Sequence, residues 1–302
     1  MKIKTLPVLV LTLLISSICA SAALGQTNAT VAAWNLGGFE PIPPARVERL
    51  ARVIHNLRPH VIALTEVNPA EEVLQKLVDD LGEMGDNYCF LYFPENAFQN
   101  IALLYRCNVQ VTDDELIAGS DDNNPTLRKA LAAKIKIRNF DFYIIAVHLK
   151  SARGTAERAT RTRQATAIAN YISLKTSGNE KDVLVVGDYN MIPIDDEVNF
   201  SALSPGPSNS EFLRFVSTEK LSGQASHISR CDPLGGNLLD GYAISRAHTG
   251  EYRSNSLRMP TLTDPIFAQP AGAPMNCVNY KGFISDHFPL VAQFKVNGVD
   301  DD

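Results

Sequence analysis

Residues 183–190, VLVVGDYN, constrain this chain more than any other stretch. Four apolar residues, three of them β-branched, run into a glycine and then into two oxygen-bearing side chains, Asp188 and Asn190. A short apolar run bounded by turn residues reads as a buried strand. Gly187 lets the backbone bend as the strand leaves the core. Asp188 and Asn190 stand two apart, so extended backbone would point both to one side. That sets a carboxylate and an amide together at the mouth of a rigid sheet. Asp and Asn after Gly are also ordinary turn formers, so the weight of this reading comes from the rest of the chain.

Further strands are read at 30–36, 60–67, 88–93, 101–106, 130–137, 140–147, 238–245 and 288–294. Val47, Leu50, Ile54 and Leu57 fall on one face of a helix over 46–57, and Val73, Leu74, Leu77, Val78 and Leu81 do the same over 71–81. Residues 152–175 begin as a basic loop or helix start and end as a helix carrying Ile168, Ala169 and Ile172. Segments 191–223 and 246–279 read as irregular loops. Helices and strands interleave early, and antiparallel pairings follow. The expected class is α/β, a two-layer β-sandwich flanked by helices.

The first 25 residues have a different character. Lys2 and Lys4 precede an apolar run over 6–20, and small residues offer cleavage sites at 20–22 and 23–25. This is the pattern of a secretory signal peptide. The run is short for a spanning helix, and Cys19 lacks the leucine three positions earlier that a lipid anchor would want. The expectation is export to the periplasm or medium, with no stable membrane anchor after cleavage. Residues 26–302 would then form a single domain, expected to be a monomer. Loss of the two lysines takes the net charge from −5 to about −7, which argues against coating nucleic acid by bulk charge.

Cys89, Cys107, Cys231 and Cys277 remain. An even count in an exported chain suggests two disulfides, with three connectivities open. Cys89 and Cys107 flank two strands, so their pairing is geometrically easy, and Cys231 with Cys277 is the default second pair. A bridge closing a loop of about 18 residues would contribute roughly 3 kcal/mol. Zinc is the alternative, but no CxxC or HxxxH spacing supports it.

Asn35, Glu66, His148, Asp188, Asn190, Asp240, Asp286 and His287 each stand at or near the end of an apolar segment. Any one has a plain structural explanation, and His55 and His60 are given only that. Eight at corresponding positions are harder to dismiss, because strand ends of such folds gather functional groups at one rim.

In order, WNLGG, LTEVN, VHLKS, VVGDYN, LLDGYAIS and SDHFPL resemble the endonuclease/exonuclease/phosphatase superfamily, which includes deoxyribonuclease I, sphingomyelinases and inositol polyphosphate phosphatases. The resemblance spans residues 31–294. VHLKS followed by an arginine-rich segment looks most like secreted bacterial nucleases. It implies a sandwich of the deoxyribonuclease I type, with its site at one end of the strands. Carried over position by position, Glu66 would hold a divalent metal, with Asn35 and Asp286 completing or supporting that site. Asp188 and Asn190 would position water and phosphate. Asp240 would orient His287 on the phosphate, and His148 would be a second acid or donor. Arg128 would aim at the phosphate, with Lys150 and Arg153 beside it. One departure stands out: Gln99 occupies the place of a glutamate that partners the histidine matching His148.

The expected cofactor is Mg²⁺, with Mn²⁺ or Ca²⁺ as alternatives. Mg²⁺ prefers oxygen ligands and keeps several waters, so one or two carboxylates suffice. It would neutralise charge on an anionic ester. The expected partner is a nucleic acid substrate, most simply DNA. Lys150, Arg153, Arg158, Arg161 and Arg163 would form a positive strip for its backbone, and Tyr189 is the candidate for stacking on bases. A phospholipid or sphingomyelin phosphodiesterase is the alternative. It would dock through an exposed apolar patch, for which 93–98 is a weak candidate. A module that keeps the fold without catalysis is the third reading, set against every expected position being filled.

Overall fold

The computed structural model describes residues 27–37, 40–95, 97–204, 212–268 and 275–298. The expected leader at 1–25 lies outside the described residues. In chain order these residues form β1 (Asn28–Asn35), α1 (Pro44–Leu57), β2 (Val61–Val67), α2 (Ala70–Glu83), β3 (Tyr88–Tyr92), β4 (Asn100–Arg106), β5 (Gln110–Leu116), β6 (Leu131–Ile137) and β7 (Phe140–His148). They continue with α3 (Thr155–Lys175), β8 (Val183–Asp188), α4 (Glu197–Leu203), β9 (Leu213–Phe215), α5 (Val216–Lys220), β10 (His227–Cys231), β11 (Leu234–Asn237), β12 (Asp240–Ser245), α6 (Cys277–Phe283) and β13 (Leu290–Lys295).

Two mixed sheets make the frame. One runs β13-β1-β2-β4-β3, the other β5-β6-β7-β8-β12-β9. Their inner faces share a core that includes Val31, Ala63, Leu103, Phe142, Ile144, Val186 and Phe294. Phe140, Phe142 and Phe294 stack across it, with Phe140 5.3 Å from Phe294. Fully burying one such side chain contributes roughly 1.5–3 kcal/mol. The helix α3 covers the outer face of the second sheet through Ala165, Ile168 and Ile172. The expected α/β sandwich is what forms.

Pro44 opens α1 at a position where a missing N–H costs nothing. Arg58 closes it in the left-handed region, its N–H bonded to the Ile54 carbonyl. Both expected disulfides are present, Cys89–Cys107 with Cα atoms 5.1 Å apart and Cys231–Cys277 with Cα atoms 5.6 Å apart.

Where the sequence reading falls short, the missed elements are polar or short. The strand β5 is an edge strand with mostly exposed positions, so it carries no apolar run. The hairpin strand β11 reads LGGN. The expected loop at 191–223 contains α4, β9 and α5, and that at 246–279 includes the start of α6. The helix α3 begins at Thr155, so of the two readings of the basic stretch the helix start holds for Arg158, Arg161 and Arg163, and Arg153 lies on the loop before it.

Candidate functional site

The second sheet lays three of the expected residues in a row. On the parallel β7–β8 pair His148 is registered with Asp188, and on the antiparallel β8–β12 pair Asp188 is registered with Asp240. Neighbours in register sit about 5 Å apart on one face, so three chain segments deliver an imidazole and two carboxylates side by side. Gly187 makes the alignment feasible. Its φ is +125°, and a Cβ there would meet the Val147 carbonyl oxygen at 2.2 Å. No other residue lets β8 approach β7 so closely.

From the facing sheet come Asn35 and Glu66. The β2–β4 register shifts between Leu64 and Val67, and within that irregularity Glu66 adopts φ +58°. Left-handed backbone at a non-glycine residue costs of order 1–3 kcal/mol and clusters at functional sites. Asn35 ties the sheets together: its Nδ2 donates to Glu66 Oε1 at 3.2 Å and to Asp188 Oδ2 at 3.0 Å. Its own oxygen is held by the Gly37 N–H at 2.8 Å.

His287 enters just before β13. Its Nδ1 lies 2.7 Å from Asp240 Oδ2. Its carbonyl is clamped by Trp34 Nε1 at 2.8 Å and by the Tyr280 hydroxyl at 2.7 Å. Burial alone would lower its pKa, but the carboxylates of Asp240, Asp188 and Asp286 raise it to about 10. His287 is therefore an imidazolium at neutral pH. Burial pushes Asp188 the other way, up to about 7, with repulsion from Asp240 and Glu66 added. His148 is buried, and burial together with Arg128 and His287 holds its pKa well below the usual value. It is a neutral imidazole whose Nε2 lies 3.6 Å from both Glu66 Oε1 and Asp188 Oδ2.

Asp286 stands apart from these carboxylates. It faces His227, whose Nε2 is 3.7 Å from its Oδ2. Burial opposes its ionisation, yet His227 and His287 bring its pKa down to about 2. His227 also packs on the His287 ring, with centroids 4.8 Å apart. Sequence reasoning passed over it because β10 carries only one fully buried apolar residue, Ile228. Arg46 was missed likewise. It donates to the carbonyls of Ile284 at 2.8 Å and Gly37 at 2.9 Å, and also to that of Leu36, so it straps the end of β1 to the segment before His287. The only sequence signal for it is a cation at the first turn of α1.

Several expectations need correction. Asn190 does not continue an extended backbone beside Asp188. Its φ is +51°, its N–H caps Asp188 Oδ1 at 2.8 Å, and its amide donates to the Leu149 carbonyl at 3.1 Å. Gln99 does not partner His148. Its oxygen accepts from Arg128 at 3.4 Å, and His148 Nδ1 is buried without a hydrogen bond. Arg128 also donates to the His148 carbonyl at 3.1 Å, which places it on the site's flank.

The positive strip is narrower than expected. Lys150 is half-buried and Arg153 exposed, and both lie on the loop leaving His148. Arg161 is 1 % exposed and pairs with Asp196 at 2.9 Å, because position 161 continues the buried face of α3. Arg163 pairs with Asp122 at 2.7 Å, and Arg158 lies 3.5 Å from Asp196. Tyr189 is buried, its hydroxyl on the Val185 carbonyl at 2.7 Å, and so offers no face to a base. Of the weak docking candidate at 93–98, Phe98 is exposed but Phe93 packs against the core.

A divalent cation fits this site. Ligand atoms of Glu66, His148 and Asp188 all lie within 4.8 Å of one another. Burial, with repulsion from Asp240 and Glu66 added, disfavours the charged form of Asp188, a cost that a cation would relieve. Two carboxylate oxygens and one neutral imidazole form a donor set suited to such an ion.

Known proteins share this fold. No curated protein matches the chain by sequence. D. rerio TDP2, solved in complex with a single-strand DNA product, superposes with a TM-score of 0.62 at 16% identity, over 89% of this chain and 100% of that one. An endonuclease/exonuclease/phosphatase family protein from Bacteroides thetaiotaomicron gives 0.60 at 16% identity, over 88% and 97%. The human Nocturnin catalytic domain, solved with a bound sulfate anion, gives 0.57 at 19% identity, over 89% and 93%. At these identities the likeness is one of fold. The sequence itself matches the Endonuclease/Exonuclease/phosphatase family over residues 32–287, most of its length. The chain belongs to that family of phosphoesterases.

Proposed function

We propose that the protein is an exported, divalent-metal-dependent phosphodiesterase that hydrolyses DNA by in-line attack of water on phosphorus. The observation that carries this is the side-by-side arrangement of the Glu66, Asp188 and His148 cluster and the charged His287–Asp240 pair. The two disulfides support export, since such bonds persist in oxidising compartments. DNA is favoured by the D. rerio complex and by the cationic loop at Lys150 and Arg153 beside the site.

Glu66, with Asp188 and His148, would hold the cation, and Asn35 would fix both carboxylates. The cation supplies charge neutralisation on the phosphate. Asp188, held by the Asn190 N–H and the Asn35 amide, would accept a proton from the attacking water as a positioned carboxylate can. His287, kept protonated by Asp240, donates to a non-bridging phosphate oxygen. Asn190 holds Asp188 and the Leu149 carbonyl in place, and Arg128 adds positive charge on the same side. Asp286, Lys150 and Arg153 complete the electrostatic surround.

The test is nicking of supercoiled plasmid by the purified protein with Mg²⁺ or with EDTA, alongside His287→Ala. Metal-dependent nicking that the variant loses supports the reading. A folded wild type that leaves plasmid intact under every divalent ion tried would sink it.

A further inference from the structure

The antiparallel ladder between β1 and β13 stops just before the candidate site. Its last registered pair is Ala33 with Leu290, and Pro289, which stands next, has no N–H to offer a ladder. Beyond that point side chains take over from backbone. Trp34 Nε1 donates to the His287 carbonyl at 2.8 Å. The Ser285 hydroxyl donates to the Asn35 carbonyl at 2.7 Å and accepts from the His287 N–H at 2.9 Å. Arg46 Nε donates to the Ile284 carbonyl at 2.8 Å, and its two terminal nitrogens donate to those of Gly37 and Leu36. The register survives the change. Continued for four residues from Ala33 and Leu290 it sets Gly37 against Asp286, and a Cβ on Gly37 would meet Asp286 Oδ1 at 2.6 Å.

What the two segments carry gives these ties their weight. One carries Asn35, which holds Glu66 and Asp188 on the cation side. The other carries His287, paired with Asp240 on the phosphate side. On this flank the gap between the two sides is therefore set by Ser285 and Arg46. Ser285 is fully buried, and its single hydroxyl oxygen bonds both backbones. Arg46 holds its carbonyls with one planar fork, a geometry that a lysine ammonium on a flexible stem lacks. An anion that touches both a cation and an imidazolium gains the two attractions together only when the gap fits it. A misplacement of about 1 Å can cost about 10² in rate.

Resting on the phosphodiesterase reading, we infer that Arg46 and Ser285 are positioning residues that set the distance between the Asn35–Glu66–Asp188 cluster and His287, so that one tetrahedral anion bridges both. Each acts through other residues. Ser285 acts through Asn35 and His287, and Arg46 through the chain next to them. Their contribution is to the coupling between cation and anion, not to the binding of either alone. The Asp188–Asp240 register relates the same two sides from the second sheet. Ser285 and Arg46 do so from the first.

The test measures Mn²⁺ binding with and without sulfate, a tetrahedral dianion that the protein cannot turn over. Free Mn²⁺ is read by electron paramagnetic resonance for the wild type, Ser285→Ala, Arg46→Met and Arg46→Lys. Sulfate is expected to tighten Mn²⁺ about tenfold in the wild type, and Mn²⁺ to tighten sulfate equally. In all three variants the factor should fall below about twofold while Mn²⁺ alone binds as in the wild type. Turnover of bis(p-nitrophenyl) phosphate should fall in kcat by about 10–10². Arg46→Lys keeps the charge, so its loss of coupling assigns the effect to the fork. Thermal melting checks folding, and Ser285→Ala decides alone if the Arg46 variants unfold. Coupling retained in Ser285→Ala or in Arg46→Lys overturns the inference and leaves the gap to the second sheet. So does Mn²⁺ affinity that falls as far as the coupling, which would make the ties mere support of the cation side. A wild type without coupling overturns it as well. A wild type that couples the two ions but hydrolyses no phosphodiester would instead fail the phosphodiesterase reading, with the positioning role still decided by the variants.

Discussion

His287 and Asp240 form a buried pair, Nδ1 to Oδ2 at 2.7 Å, while the His287 carbonyl is clamped by Trp34 and Tyr280. The backbone clamp fixes the ring's position, and the carboxylate fixes its charge. Asp240→Asn keeps the shape and loses the charge. It is expected to lower kcat by about 10²–10⁴, the usual weight of a positioned acid or base. Because the two act as one unit, the double variant Asp240→Asn with His287→Ala should be barely slower than His287→Ala alone. Additive losses would show that the pair does not work together.

Crowded carboxylates without a cation destabilise the fold that holds them. Asp188→Asn removes one buried charge and should raise the melting temperature of the metal-free protein by the equivalent of about 1 kcal/mol, while abolishing activity. In the wild type, Mg²⁺ or Mn²⁺ at a hundred times its dissociation constant should stabilise by about 2.7 kcal/mol. Glu66→Gln should lose that stabilisation. A melting temperature indifferent to divalent ions in the wild type would show that the folded protein binds none, and stabilisation that survives Glu66→Gln would place the cation elsewhere.

How legible the chain was depends on what each residue does with its neighbours. Apolar runs and helical spacing located β1, β2, β7, β8 and β12, and with them Asn35, Glu66, His148, Asp188 and Asp240, because strand ends are readable from local pattern. Asn190 was found but misdirected, since its left-handed φ follows from the close β7–β8 approach and not from its own sequence. Arg46 and His227 were invisible. Each acts across more than 50 residues, Arg46 on the Ile284 carbonyl and His227 on Asp286, and no local spacing announces such an interaction.

His60 illustrates a histidine with a structural task. The Thr30 N–H donates to its Nδ1 at 3.0 Å, so the ring must stay neutral. Burial, with Arg106 and Arg138 nearby, lowers its pKa from 6.5 to about 4. The depressed folded value means that the unfolded chain takes up this proton first. Stability is therefore whole above pH 6.5 and falls between 6.5 and about 4. After allowance for screening at a partly solvated ring, the loss is about 1–2 kcal/mol. His60→Asn keeps an acceptor for Thr30 and removes the titration. Its stability, from urea melts at pH 7 and pH 4.5, should fall less than that of the wild type. Equal falls would mean that His60 contributes nothing to acid sensitivity.

Arg161 and Arg153 look alike in sequence and should behave oppositely. Arg161 donates to the carbonyls of Lys150 at 2.9 Å and Ala152 at 2.6 Å while paired with buried Asp196, which in turn holds the Ile192 N–H at 2.9 Å. It braces the loop that leaves His148 against the loop that leaves Asp188. Arg161→Met would leave the buried Asp196 only the Ile192 N–H and the more exposed Arg158 at 3.5 Å, a loss of about 3 kcal/mol in stability. Arg153→Ala and Lys150→Ala touch nothing buried and should leave melting unchanged. Their effect belongs to substrate. For each phosphate that a variant no longer neutralises, the slope of log affinity against log salt should shrink by roughly 0.7–0.9, depending on strand form. The measurement is DNA binding by a His287→Ala background protein at several salt concentrations. An unchanged slope in the Lys150 and Arg153 variants would remove this loop from the nucleic-acid surface, and an Arg161 variant of undiminished stability would remove the brace.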